Sequence, residues 1–278
     1  MRKLAIFGGK GMLGSNLNVA AAASGWLVQI YDLPEFQITD IQQLEVAIKS
    51  CDCVVNCAAY TAVDKAESEP ELCESVNAVA VGELGRIAAA TGKYVIHIST
   101  DFVFGDLIDI PQSETDQPNP LNVYGCSKLH GEQLLAATGC RHAIIRAEWT
   151  YGRHGNNFIS KILALAKERE SIQVVSDQVG APTPTADLVR VILCFLGNHT
   201  EGLYHFAADG FASRYEVAEF IVRQAKLETR VLPCLSSAFP TPAVRQKNSK
   251  FNCAKIDRIL DFQRSAWRDA LKDFIKLS

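Results

Sequence analysis

The sequence predicts an α/β chain built on a doubly wound parallel sheet, with a smaller carboxy-terminal part beyond it. Three observations carry that expectation. Four short apolar runs alternate with helix-length stretches over the first hundred residues. A glycine cluster separates the first run from the first helical stretch. No internal repeat or low-complexity linker interrupts the alternation.

Length and composition narrow the field. The 278 residues suffice for one large domain or two modest ones. With 48% apolar and 21% charged residues, the chain has ordinary globular composition and is unlike a disordered one. The net charge of −3 and the lack of Lys/Arg runs argue against a nucleic-acid partner. Apolar runs are short and interrupted, which argues against a membrane partner, and glycine arrives at Gly8, too early for a signal peptide. Nine cysteines without a Cys-x-x-Cys pair read as reduced packing residues, so a cytoplasmic location and no metal are expected. The six histidines show no paired ligand spacing and read as scattered surface or strand residues.

The first strand is Leu4-Ala5-Ile6-Phe7, a buried-strand composition. Gly8-x-x-Gly11-x-x-Gly14 follows and opens a helix through Leu17 and Ala21. Gly9-x-Gly11-x-x-Gly14 also fits a dinucleotide fingerprint, but Gly8 directly ends the strand and is preferred. Such spacing provides a tight turn, close backbone approach to pyrophosphate, and helix N–H groups facing the anion. The second strand, 27–31, ends at Asp32, eighteen residues after Gly14. A carboxylate there accepts from an adenosine ribose hydroxyl and favours NADH, with NADPH left open. Asp40 is placed to cap the next helix.

The third strand, 53–56, is followed by the small residues Cys57-Ala58-Ala59 and then Tyr60-Thr61, where a cofactor can lie against the backbone or the chain can simply pack tightly. Pro70 opens a long helix to about residue 90, with Gly92 as its stop. The fourth strand delivers Ser99-Thr100-Asp101 at its carboxyl end, where ligands sit in open parallel sheets. Tyr124 and Lys128 then stand one turn apart on a helix face, and 143–146 supplies the following strand. A nearby ammonium favours phenolate and brings a tyrosine proton within reach of neutral-pH chemistry.

In this order the glycine motif, Thr100 and Tyr124-x-x-x-Lys128 resemble the extended short-chain dehydrogenase/reductase family. Further islands carry the resemblance: Thr61-Ala62-Val63-Asp64-Lys65-Ala66-Glu67, Pro120-Leu121-Asn122-Val123-Tyr124-Gly125, Asp177-Gln178-Val179-Gly180-Ala181-Pro182-Thr183 and Pro240-Thr241-Pro242-Ala243-Val244-Arg245. They run from residue 8 to about residue 250 and point to the members that act on dTDP-linked 4-ketosugars. The resemblance implies a Rossmann-type cofactor domain over 1–150, with a returning strand and helix near 171–197, and a mainly sugar-nucleotide-binding domain over 151–278. It implies NADPH or NADH held by Gly8, Gly11, Met12, Leu13, Gly14, Asp32, Ala58, Ala59, Tyr60, Thr61, Tyr124 and Lys128. It implies a dTDP-sugar substrate contacted by Thr100, Asp101, Tyr124, Trp149, Asn157 and Arg245, with Thr100, Tyr124 and Lys128 catalytic. The expected reaction is reduction of the C4 ketone, Tyr124 giving the proton. Two alternatives stand beside it: a related nucleotide-sugar 4-ketoreductase sharing every motif quoted, and a non-catalytic module, since the regulatory subunit of methionine adenosyltransferase resembles these enzymes too.

Beyond 150 the pattern reads as a helix from Asn157, a strand at 172–175, a helix from about 186 to 196, a short strand at 203–206 and a helix from 214 to 226. Four positions depart from the family. Glu148 stands where relatives carry a small or hydroxyl residue before the tryptophan. Gln37 replaces an aspartate near the adenine position. Asn16 and Ala186 occupy positions where some relatives place magnesium-binding glutamates across a homodimer, so the sequence does not support Mg2+ while a homodimer stays compatible.

Overall fold

The computed structural model describes residues 2–106 and 109–276. Its centre is a six-stranded parallel sheet built from β1 (Lys3–Phe7), β2 (Leu27–Tyr31), β3 (Cys53–Asn56), β4 (Tyr94–Thr100), β5 (His142–Ala147) and β6 (Gly202–Phe206). The spatial order is β6-β5-β4-β3-β1-β2, so the winding direction reverses between β1 and β3. Alternate side chains of each strand enter opposite cores. Leu4, Ile6, Val55, Ile96 and Ile145 face one cluster, which α1 (Met12–Ala23) supplies with Leu17 and Ala21. Ala5, Phe7, Val54, Val95 and Ile144 face the other, with Leu44 and Ile48 of α2 (Ile41–Lys49). Apolar residues on both faces account for the nearly unbroken apolar strands.

Local signals place the helices. Asp40 accepts from the Gln42 and Gln43 amides at the start of α2. Pro70 sits at the first position of a short helix that continues through a π turn, Ser75–Val79, into α3 (Ala80–Thr91), where Gly92 ends it with φ +66°. Asn122 caps α4 (Val123–Ala137) by accepting from Gly125, which puts Tyr124 in the first turn and Lys128 one turn later. Arg146 of β5 and Glu132 of α4 form a buried, bidentate ion pair, with Nε–Oε1 2.9 Å and Nη2–Oε2 2.6 Å.

The carboxy-terminal part differs from the expected topology in one respect. The strand Ser171–Val175 does not return to the central sheet; it pairs in parallel with Arg230–Cys234 in a separate two-stranded sheet. The sixth central strand is β6, after helix α5 (Thr185–Asn198), which packs against α1. Leu188, Val191 and Phe195 bury α5 in the central core, whereas Ser171–Val175 has an exposed–buried alternation suited to covering a local cluster. That third cluster contains Ile172 and Val174, with Val217 and Ile221 of α6 (Arg214–Gln224) and Trp267.

Candidate active site

A cleft of about 830 Å3 opens above the carboxyl ends of the central strands, at the reversal between β1 and β3. Its lower wall is the glycine turn. Gly8 has φ +73°, and a β-carbon there would lie 2.7 Å from the Ala58 nitrogen. No other residue fits that contact between the β1 and β3 loops without a shift. Gly14 lies under the turn, where a β-carbon would collide with the Gly8 carbonyl oxygen. Gly11, Met12 and Leu13 line the cleft at the start of α1, so the open amides of its first turn lie on the cleft side. Asp32, Ala58, Ala59 and Thr61 continue this wall. The cradle, free of side-chain bulk where a pyrophosphate backbone would pass, fits a dinucleotide. Asp32 accepts from the Lys10 main-chain amide at 2.8 Å, and the Lys10 ammonium pairs with Glu35 alongside.

Tyr124, Thr100, Asp101, Lys128 and Trp149 meet on the opposite wall. Thr100 donates to Asp101 Oδ1 at 3.0 Å, and Gln246 donates to Asp101 Oδ2 at 2.9 Å. Burial, with Asp101 nearby, pushes the Tyr124 phenol up, while the Thr100 hydroxyl pulls the other way. Burial also holds the Lys128 ammonium down to about 8. Its Nζ donates to the Ile98 carbonyl at 2.7 Å. Trp149 adopts a left-handed backbone, φ +43°, a conformation costing an ordinary residue about 1–2 kcal/mol. That turn sends the indole into the cleft, under the Arg214 guanidinium, which stacks 3.5 Å from the ring centroid.

Four expected contacts are occupied elsewhere. Arg245 is held by Asp64 in a bidentate pair, 2.9 and 2.8 Å, which also keeps the Asp64 carboxyl below its usual range. Asn157 caps the helix Phe158–Glu168, and its amide donates to the Gly152 carbonyl at 2.8 Å. Tyr60 donates its hydroxyl to Glu69, and Gly14 is a packing residue. Ser99 and Gln37 line the cleft at the strand end and the adenine position where the sequence puts them, whereas Arg214, Asn156, Phe36 and Ile38 line it without being expected as contacts. The strand-to-helix change at Ser213-Arg214 is the available signal for Arg214; nothing local marks Asn156, Phe36 or Ile38. Asn16, where some relatives place a magnesium-binding glutamate, donates to Thr185 at 2.6 Å, and no group of three metal-ligating side chains occurs among the described residues.

Sheet, glycine turn and Tyr–Lys helix together define a Rossmann-fold oxidoreductase of the short-chain dehydrogenase/reductase type. The chain belongs to the family described as the RmlD substrate binding domain, whose model matches residues 1–278. It is 42% identical over 238 residues to dTDP-4-dehydrorhamnose reductase of Salmonella typhimurium, covering 80% of this chain and 78% of that one. It is 38% identical to the enzyme of the same name from Mycolicibacterium smegmatis, over 99% of this chain and 85% of that one. The crystal structure of dTDP-4-dehydrorhamnose reductase from Bacillus anthracis in complex with NADP superposes with a TM-score of 0.96 at 32% identity. That match covers 100% of this chain and 99% of the other.

Proposed function

We propose that this chain reduces the C4 ketone of dTDP-4-dehydro-6-deoxy-L-mannose with NADPH or NADH, forming dTDP-L-rhamnose. The observation that carries the reading is the convergence of Thr100, Tyr124 and Lys128 on a cleft whose other wall is the glycine turn. In this reading residues 1–150, with α5 and β6, hold the cofactor, and 151–278 mainly hold the sugar nucleotide. The reduced nicotinamide, when bound, supplies the hydride. Burial and Asp101 keep Tyr124 in its phenol form at neutral pH, the state a proton donor needs. Tyr124 gives that proton to the oxygen of the reduced C4, and Thr100, its hydroxyl turned from Asp101 toward the bound sugar, steadies the same oxygen by hydrogen bonding. Lys128 holds the nicotinamide ribose and offsets charge on the tyrosine once its proton has left. Trp149 and Arg214 wall the sugar, and their stacking excludes water from the reacting face. Nine free cysteines agree with a reducing, cytoplasmic compartment. Among the described residues no helix is long and apolar enough to cross a membrane.

Tyr124→Phe tests the assignment. Reduction should fall at least about a hundredfold while NADPH binding persists. Loss of NADPH absorbance with freshly generated ketosugar, followed by determination of the C4 configuration of the product, separates this reaction from that of another 4-ketoreductase. Parental turnover by the Phe variant would remove Tyr124 as donor, and no turnover by the parent would favour a non-catalytic module.

A further inference from the structure

We propose that Asn56 and His97 are positioning residues for Lys128, joined to it and to the cofactor loop in one directed chain of hydrogen bonds. The inference rests on the reading of Lys128 as part of the reaction centre. Asn56 ends β3, His97 lies mid-way along β4, and Lys128 reaches them from α4. Asn56 and His97 are fully buried and Lys128 is 2% exposed.

The direction of the chain follows from its first link. The Ala58 amide donates to Asn56 Oδ1 at 3.1 Å, which settles the orientation of the side-chain amide. Asn56 Nδ2 therefore donates to His97 Nδ1 at 3.1 Å. A neutral imidazole that accepts at Nδ1 carries its proton on Nε2. Nε2 lies 3.3 Å from Lys128 Nζ, and that Nζ donates onward to the Ile98 carbonyl at 2.7 Å. Burial holds the imidazole well below its usual proton affinity, so His97 stays neutral.

An imidazole N–H needs a lone pair on the facing nitrogen. The chain therefore stabilises the uncharged Lys128 amine, and a protonated Lys128 presents donor to donor until the chain reverses. Ala58, the first link, also forms the cradle wall against Gly8. Whatever draws the Ala58 amide toward the cleft loosens Asn56 and lets the imidazole receive from the ammonium. The cofactor side and the charge of Lys128 are thus coupled through two buried side chains.

Other ionisable groups around this point are accounted for. Cys57, beyond β3, is pushed up to about 12 and Cys73, on the Pro70–Glu74 helix, is also raised, so both remain thiols near neutrality. Tyr124 shares the helix of Lys128, Glu132 on that helix is committed to Arg146, and His142 of β5 lies toward His97. His97 alone among the ionisable side chains meets the lysine nitrogen at hydrogen-bonding distance among the described residues.

Asn56→Asp is the discriminating variant. A carboxylate accepts from both the Ala58 amide and a protonated Nδ1, so the imidazole proton moves and Nε2 offers its lone pair to Lys128. In the parent, 15N NMR should show His97 protonated at Nε2 and bare at Nδ1; in the variant this pattern should invert. The Lys128 titration midpoint, read from its own nitrogen, should rise by about one pH unit, a tenfold change in proton affinity. The alkaline limb of kcat/KM for ketosugar reduction should move with it. A parent imidazole protonated at Nδ1 overturns the proposal, even should the variant fail to fold. An inverted tautomer with an unmoved Lys128 midpoint overturns it as well. Failure of the parent to turn over the ketosugar would refute the assigned reaction, leaving the nitrogen titrations to decide the chain separately.

Discussion

Glu148 lies fully buried at the turn that carries Trp149 into the cleft, and neither carboxyl oxygen has a hydrogen-bond partner among the described residues. Burial first, then the neighbouring Asp101, raises its proton affinity far above the ordinary carboxylate range. Main-chain groups of Ala181 and Phe251 and the Arg214 cation offset only part of this. The fold therefore favours the neutral acid, whereas the unfolded chain ionises it above about pH 4.3. The folded state holds a proton that the unfolded state releases, so this group's contribution falls as pH rises from there toward its folded value. Glu148→Gln removes that dependence. The variant should match the parent at pH 4 and exceed it by about 1–3 kcal/mol at pH 8, measured by urea unfolding at both values. A constant difference across that range would show that Glu148 is ionised in the fold. Residue identity alone makes Glu148 visible as a departure from the family. Its protonation state is not, because it depends on burial against Gly180 and on the Asp101 charge, both brought from distant parts of the chain.

At the scale of elements, helix α4 is the piece that holds Tyr124 and Lys128, and its seat is unusually close. Gly125 and Gly131 bring its backbone against the Phe102 and Asn77 carbonyls, where a β-carbon would collide with each oxygen. Asn77 belongs to the π turn, and its side chain accepts from the Tyr60 amide at 2.8 Å and donates to Ser127 of α4 at 3.0 Å. The π turn thus ties the cofactor-side loop to the Tyr–Lys helix. Gly131→Ala must push α4 outward, because the obstacle is backbone. Denaturant unfolding should report a loss of about 1–3 kcal/mol, and turnover should drop at least about tenfold from misplacement of Tyr124. Full activity in this variant would mean that the seat is looser than its geometry indicates. The helix itself is legible from the Tyr124–Lys128 spacing. The π turn is not, since a one-residue widening inside a regular helical pattern leaves no periodic signature.

The whole molecule places its cleft where the sheet changes winding direction, and ligand occupancy should therefore bridge the β1, β3 and β4 loops. A dinucleotide that binds only the folded state adds about 2.7 kcal/mol at a hundred times its Kd. For a chain of this size that should raise Tm by a few degrees in thermal scans, with NADPH and NADH compared at matched saturation. Absence of a shift with both would contradict the cradle reading. The two cofactors are a fair contest, because Asp32 is already engaged by the Lys10 amide while the Lys10 cation sits beside it. All nine cysteines are free, and the five buried ones act as packing groups.

Sequence alone determined the parts that local spacing controls: the β1–glycine–α1 turn, the alternation of strands and helices, and the Tyr124–Lys128 pair. These depend on backbone period, on the absence of a side chain at Gly8, and on a one-turn offset, all properties of a few neighbouring residues. Tertiary structure decided the rest. It chose β6 over Ser171–Val175 as the sixth central strand, because α5 buries its apolar face on α1. It gave Arg214 the cleft and Arg245 to Asp64, since a cation's role is settled by the carboxylate or ring that packing brings beside it. It also turned His97 from an inconspicuous strand histidine into the nitrogen facing Lys128, a contact between residues 31 positions apart.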